Sequence, residues 1–267
     1  MKNEYQRIAC LSTEAAEVLY AIGAEDLIVG ISGYTVRPAR ARQEKPKISG
    51  FSTGKVEKIL AVQPDLVIAY SNLQSELCRD LIATGIEVHA YNQRDVAGIF
   101  RMIRSLSSLA GREEKGRELI AMLEDRIAIV KAQAAGWSKR PKIYFEEWAE
   151  PMMSAIGWVS ELIQIAGGVD IFSELAHFHC ASQRIVADPQ EVVRRAPDII
   201  IGSWCGKKFR PETVLARPGW NTIPAVRNDR LFDIKSPDIL SPGPAAIEHG
   251  LMQLHLLIAD WQASQPD

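Results

Sequence analysis

The feature that most constrains this chain is a short segment that occurs twice. Val62-Gln63-Pro64-Asp65-Leu66-Val67-Ile68 is echoed half a chain later by Arg195-Ala196-Pro197-Asp198-Ile199-Ile200-Ile201. In both copies a helical run ends at Pro-Asp and a buried strand follows. Proline stops a helix and pushes the residue before it away from helical backbone. A looser pair keeps the same order along the chain. Glu17-Val18-Leu19 leads to Ile22-Gly23-Ala24, and Glu161-Leu162-Ile163 leads to Ala166-Gly167-Gly168. The period is far longer than the ~20–50 residues of a solenoid. It predicts an old duplication: two lobes of one plan.

The remaining strand signals fit that plan. Arg7–Leu11, Leu27–Ser32, Glu87–Tyr91, Lys142–Phe145 and Arg230–Asp233 join Leu66–Tyr70 and Ile199–Ser203, the runs that follow the two Pro-Asp steps. These runs are rich in Val and Ile and do not alternate, as expected of parallel strands buried on both faces. Amphipathic segments separate them, so the fold class is α/β with parallel sheets. Between the copies, the stretch 111–136 has no internal proline and ends at Gly136. It places Leu119, Leu123, Ile127 and Val130 on one helical face. A helix of that length spans about 37 Å and suits a rigid spine. The expected organisation is an N-terminal α/β lobe over 1–110, a connecting spine helix over 111–136 and a C-terminal α/β lobe over 137–267.

Composition excludes some function classes. The net charge of −2 over 267 residues gives no electrostatic reason to expect nucleic acid as a partner. No apolar run reaches the ~18 residues of a membrane span. The opening Met1–Arg7 leads straight into the apolar run Ile8–Leu11, without the features of a secretory signal. A chain that stays in the cytoplasm, or a mature form that has lost its leader, would read this way. Cys10, Cys78, Cys180 and Cys205 include no C-x-x-C pair, which argues against structural zinc and favours buried free thiols.

At this point the sequence resembles the substrate-binding proteins of the helical-backbone class (class III) that serve ABC importers and capture cobalamin, siderophore–iron complexes or haem. The match runs through Arg7–Ser12 with Glu14–Leu19 and Ile22–Ala24, then Val29–Ser32 with Tyr34 and Pro38. It continues through Gly50, Val56–Leu60, Gln63–Ala69, Gly85–Val88, Ala166–Gly168 and Pro197–Ile201. The vitamin B12-binding branch is the most similar. The resemblance implies two Rossmann-like lobes joined by the spine helix, with a ligand cleft between them. It also implies a monomer, no catalysis and no intrinsic cofactor, the bound ligand being a cobalt- or iron-containing complex. Members are exported, so it implies a periplasmic or cell-surface location; the missing signal leaves the cytoplasm as the alternative. Members dock onto a permease through a glutamate on each lobe. Here these are Glu76 and, in the segment Pro189–Val193, Glu191, with Gln190 at the usual position.

Ligands of parallel α/β sheets bind beyond the carboxyl ends of the strands. The loops expected there carry Tyr34, Phe51, Tyr70 and Tyr91 in the first lobe. In the second they carry Glu146, Trp148, His177, Phe178, His179, Trp204 and Asp238. Aromatic faces give large contact area at low entropic cost and suit a flat corrin or porphyrin. The alternative for Tyr70 and Trp204 is a core position at a strand end. His177 and His179, two apart on an extended loop, point the same way and are candidate metal or axial ligands, with Cys180 beside them. Glu146, Glu147 and Glu150 form an acidic group able to hold a hard cation or accept from ligand amides. Arg37, Arg40, Arg42, Lys45 and Lys47 read as a solvated loop, or as a partner for ligand anions. His89, His249 and His255 read as structural. Trp158 starts a helix with Ser160 near its cap, and a proline-rich loop, 236–244, precedes a final helix from about Ala245 to Trp261. The preferred reading is a binding protein. The alternatives are a tetrapyrrole chelatase or cytosolic cofactor handler using His177, His179 and Glu146, and a sensor that kept the fold and lost transport.

Overall fold

The structure, a computed structural model, describes residues 4–265; the first three residues of the opening segment lie outside them. The chain divides into two compact units, Met1–Leu123 and Glu124–Asp267.

The first unit runs β1 (Ile8–Cys10), α1 (Thr13–Ala21), β2 (Ile28–Ser32), α2 (Ala41–Glu44), β3 (Lys47–Ser49), α3 (Val56–Leu60), β4 (Leu66–Tyr70), α4 (Ser75–Ala83), β5 (Glu87–Tyr91) and α5 (Val96–Leu109). Its sheet is parallel, in the order β3-β2-β1-β4-β5. The chain therefore winds outward from β1 in one direction and then in the other. This places a topological switch at the carboxyl ends of β1 and β4, where open α/β sheets hold ligands. Every residue of β1 and β4 is buried, which explains their unbroken apolar sequence. One face packs Ala9 and Val67 with Leu11, Ile48, Ile59, Leu77 and Leu81.

Helix α6 (Glu113–Ala135) carries the chain across the boundary between the units. The second unit continues with β6 (Lys142–Glu146), β7 (Trp148–Ala149), β8 (Met152–Met153), α7 (Gly157–Ile165), β9 (Val169–Asp170), α8 (Ser173–Ala176), α9 (Pro189–Arg195), β10 (Ile199–Gly202), α10 (Pro211–Leu215), α11 (Pro224–Arg227), β11 (Leu231–Asp233) and α12 (Ser236–Ile239). A π-helical turn, Ala246–Gly250, then leads into α13 (Leu251–Ala263). The main sheet is parallel, in the order β11-β10-β6-β9; β7 and β8 form a separate antiparallel ribbon.

The two units repeat at atomic detail. Asp65 takes the amides of Gln6 and Arg7 at 2.7 and 2.9 Å, and its own amide donates to the Arg7 carbonyl at 2.9 Å. Asp198 takes the Lys142 amide at 2.8 Å and donates to the Lys142 carbonyl at 2.8 Å. The residue before each proline turns left-handed, with φ of 47° at Gln63 and 49° at Ala196. Arg7 donates to the Val62 and Gln63 carbonyls, and Lys142 to the Arg195 carbonyl, so a cation satisfies the end of each preceding helix. The looser pair is also repeated. Ala24 N donates to Leu19 O at 2.8 Å and Gly168 N to Ile163 O at 2.9 Å, closing α1 and α7 with the same left-handed glycine cap. The units differ where β6 meets α7: the second inserts the β7–β8 ribbon, whereas β1 passes directly into α1.

Several local expectations are corrected. β3, β7, β8 and β9 are two or three residues long, too short to show a pattern in sequence. Ser160 lies buried inside α7, and Ile156 occupies the cap position. Trp158 is a core residue, 2% exposed, whose indole donates to the Ile239 carbonyl at 2.8 Å. Residues 236–239 form a helical turn instead of an irregular loop. Two of the four thiols, Cys180 and Cys205, are exposed, and all four are free.

The repeated glycine caps generate a testable difference. A Cβ on Gly23 would meet nothing within 4 Å, whereas on Gly167 it would lie 2.7 Å from Trp137 ring carbons. Gly23→Ala should destabilise by about 1–2 kcal/mol from left-handed strain alone. Gly167→Ala should add an overpacking term of about 1–3 kcal/mol. Urea unfolding of both variants measures the gap.

Candidate functional site

In the first unit the strand-end loops are tied to one another. Ser32 Oγ donates to Gly50 O at 3.0 Å and Gly33 N to Ser49 O at 2.8 Å. Arg42 Nη1 donates to the carbonyls of Gly33 and Thr35, both at 3.0 Å. These bonds hold Tyr34 and Phe51 edge to face, 5.9 Å apart, and still exposed by 54% and 39%. Large aromatics left in water on a fixed loop give this unit a preformed apolar surface on which a flat partner could stack.

Tyr70 and Tyr91 are buried instead. Each is the last residue of its strand, and the two are paired in register. Tyr91 donates to Ser105 Oγ at 3.0 Å and packs on His89. Arg94 lies over the Tyr70 ring and donates to Asn72 Oδ1 at 2.9 Å. Beneath these loops, buried Gln74 joins three strand ends. Its amide donates to Leu11 O at 3.2 Å and Phe51 O at 2.6 Å, and its oxygen accepts from Tyr70 N at 2.9 Å. Glu14, 3% exposed in the first turn of α1, has its carboxyl pushed up to about 7 by burial.

Two cations of the basic stretch, Arg40 and Arg42, are spent internally. Arg40 pairs with Glu25 at 2.8 Å and Glu44 at 3.3 Å, and its guanidinium lies over Tyr20. Arg42 is the loop tie described above. These two arginines shape the Tyr34 loop from behind.

In the second unit the adjacent glutamates, buried Glu146 and half-buried Glu147, are hubs. Glu146 is 0% exposed and takes two bonds from Arg217, at 2.6 and 3.0 Å, one from the Trp204 indole at 3.0 Å and one from Tyr144 Oη at 3.0 Å. Glu147 takes two bonds from Arg184, itself 1% exposed, whose Nη1 also donates to Ser154 O at 2.7 Å. Both carboxylates are neutralised by an arginine, so neither is available to a hard cation. Trp204, 7% exposed, packs on Phe209 and supports the surface from below.

Trp148 is half-buried on the ribbon; its indole donates to Glu150 O at 2.8 Å, and Lys207 Nζ lies 4.5 Å from its ring centroid. His177 and His179 are exposed after α8, and half-buried Phe178 packs on the His177 ring at 4.0 Å. Among the described residues no three His, Cys, Asp or Glu side chains gather as a metal-binding group, so Cys180 does not complete a site with the two histidines. Half-buried Asp238 accepts from Gln253 Nε2 at 3.1 Å. Glu76 is exposed in the first turn of α4. Glu191 is held by Arg194 and Arg195 at 2.7 and 2.8 Å.

Sequence reasoning missed Gln74, Arg184 and Arg217. Their partners lie 37 to 71 residues away for the two arginines, and no local spacing marks such a pair.

Two doubly wound parallel sheets whose strand-end loops present aromatic faces define a ligand-binding α/β protein. The chain belongs to the periplasmic binding protein family, which it matches over residues 8–237. It is 25% identical over 252 residues to the vitamin B12-binding protein of Vibrio parahaemolyticus, covering 92% of this chain and 88% of that one. An uncharacterised ABC transporter substrate-binding lipoprotein of Bacillus subtilis is 22% identical over 257 residues, with 93% and 78% covered. A solved periplasmic haem-binding protein from Roseiflexus superposes with a TM-score of 0.82 at 21% identity, over 96% of this chain and 98% of that one. The family is one of binding proteins for transport, and this chain is a binding protein and not an enzyme. No helix among the described residues is long and apolar enough to cross a membrane.

The Glu146 hub gives a direct test. Glu146→Ala leaves half-buried Arg217 without its carboxylate partner and should destabilise the protein by about 3 kcal/mol, the low end for a buried pair. Glu146→Gln keeps the shape and should lose less. Denaturant unfolding of the two variants measures the difference.

Proposed function

We propose that this chain captures a flat, metal-centred macrocycle, a corrinoid or haem, on strand-end loops that expose aromatic faces, and delivers it to an ABC permease. The observation that carries the reading is the exposed, edge-to-face Tyr34–Phe51 pair on loops fixed by hydrogen bonds. Preformed aromatic faces lose little ordering entropy when they close on a rigid ring. Trp148 and Phe178 would supply apolar contact from the second unit, and His177 or His179 an axial nitrogen to the metal. Glu76 is the better placed of the two docking glutamates, being exposed. Glu191 would have to exchange its arginines for those of the permease. The names of the relatives support work on the outer side of the cytoplasmic membrane.

Titration with cyanocobalamin, haemin and a ferric siderophore, followed by tryptophan fluorescence and the visible spectrum, tests the reading. A corrinoid or haemin should bind with micromolar or tighter affinity, and Tyr34→Ala with Phe51→Ala should weaken it at least tenfold. If haemin binds, His177→Ala or His179→Ala should shift its Soret band. Binding of none of the three would overturn the proposal.

A further inference from the structure

The cations that face the strand-end edge are not the ones the sequence singled out. The loop after β10 is anchored at both ends by buried aromatics, Trp204 and Phe209, which pack edge to face at 5.1 Å. Phe209 fills the space over Gly202, where any Cβ would collide with its ring. Lys207 N donates to Trp204 O at 3.2 Å, and Gly206 makes the left-handed turn, φ 70°. Between the anchors, Cys205, Gly206, Lys207 and Lys208 are exposed. The neighbouring strand β11 is in register, Gly202 with Asp233, and Ile234 N donates to Gly202 O at 3.1 Å. The exposed Lys235 therefore follows at the same edge.

We propose that Lys207, Lys208 and Lys235 form an anion-reading rim around Trp148, so that the site selects a flat ligand bearing carboxylate side arms. The inference rests on the capture reading above and names the charge class of its ligand. Lys207 Nζ lies over the Trp148 indole, 4.5 Å from its centroid; a ring that stacks on this face would displace the flexible ammonium to the ring's edge, where the side arms are. None of the three lysines makes an ion pair among the described residues, so their charge is available. The acids of the same edge do not cancel it. Glu146 and Glu147 are consumed by Arg217 and Arg184. Exposed Asp233 has its carboxyl raised by burial, against the pull of Lys235 and Lys208 and with the push of Asp238. Asp233, Glu150 and Asp238 stand against the three lysines and Arg210, which leaves the cations in excess.

The test compares each acid with its methyl ester, which removes the arm charge: haemin with its dimethyl ester, and dicyanocobyrinic acid with its heptamethyl ester. The full chain and the triple variant Lys207→Gln, Lys208→Gln, Lys235→Gln are titrated at low and high salt. The acid of the ring that binds should bind at least tenfold tighter than its uncharged counterpart. That preference should shrink severalfold at high salt and vanish in the triple variant, which should retain the uncharged ring. Equal affinity for acid and uncharged forms, or a preference that survives the triple substitution, overturns the inference while leaving the capture reading intact. Failure of all four rings to bind removes the capture reading, and this inference with it.

Discussion

The architecture depends on two carboxylates, Asp65 and Asp198. Parallel strands have no hairpin turn to fix their register, and a slip of one residue would turn every core side chain to the opposite face. Each aspartate takes the amide that begins a central strand, and its own backbone amide returns a bond to that strand's carbonyl. The next strand is thereby held in register beside β1 or β6. Within each unit, that register sets where the strands end and the loops begin.

Above that frame, the two units solve the same problem with different chemistry. In the first, a neutral amide, Gln74, bridges the ends of β1, β3 and β4, and backbone carbonyls do most of the loop binding. In the second, two buried ion pairs hold the edge: Glu146 with Arg217, and Glu147 with Arg184. The Arg184 pair also fixes the β7–β8 ribbon, so the insertion that distinguishes the second unit presents Trp148 on a stiff support. Losing either partner of such a pair leaves a charge without its counterion in a low-dielectric site, which makes these residues structural first.

Much of the frame was legible in the sequence. The Pro-Asp steps, the long helix and the strands β4 and β5 announce themselves through local rules of stop signals and apolar runs. The echo of Ile22-Gly23-Ala24 in Ala166-Gly167-Gly168 was visible too, although its meaning, a left-handed glycine cap closing each helix, emerges only from the backbone. β3, β7, β8 and β9 were not legible: unlike β1 and β11, which are as short as β3, they do not stand in a longer apolar run bounded by stop signals, and β3 lies in a charged stretch. The site was half legible. Tyr34, Phe51 and Trp148 reach the edge, whereas Tyr70, Tyr91 and Trp204, chosen by the same rule, turn inward. Position at a strand end does not fix the direction of the side chain. Glu146 looked like a ligand because its partners, Arg217 and Trp204, lie far away in sequence.

The central proposal is that ligand is met by preformed strand-end loops, those of each sheet being fixed within their own unit. Hydrogen–deuterium exchange with and without saturating haemin or cyanocobalamin, whichever binds, tests it most directly. Protection should concentrate at residues 12–14, 33–35, 50–53, 148–153 and 204–209, with little change at the amino ends of the strands near Asp65 and Asp198. Protection confined to those amino ends, or absent from the strand-end loops of both units, would contradict the account.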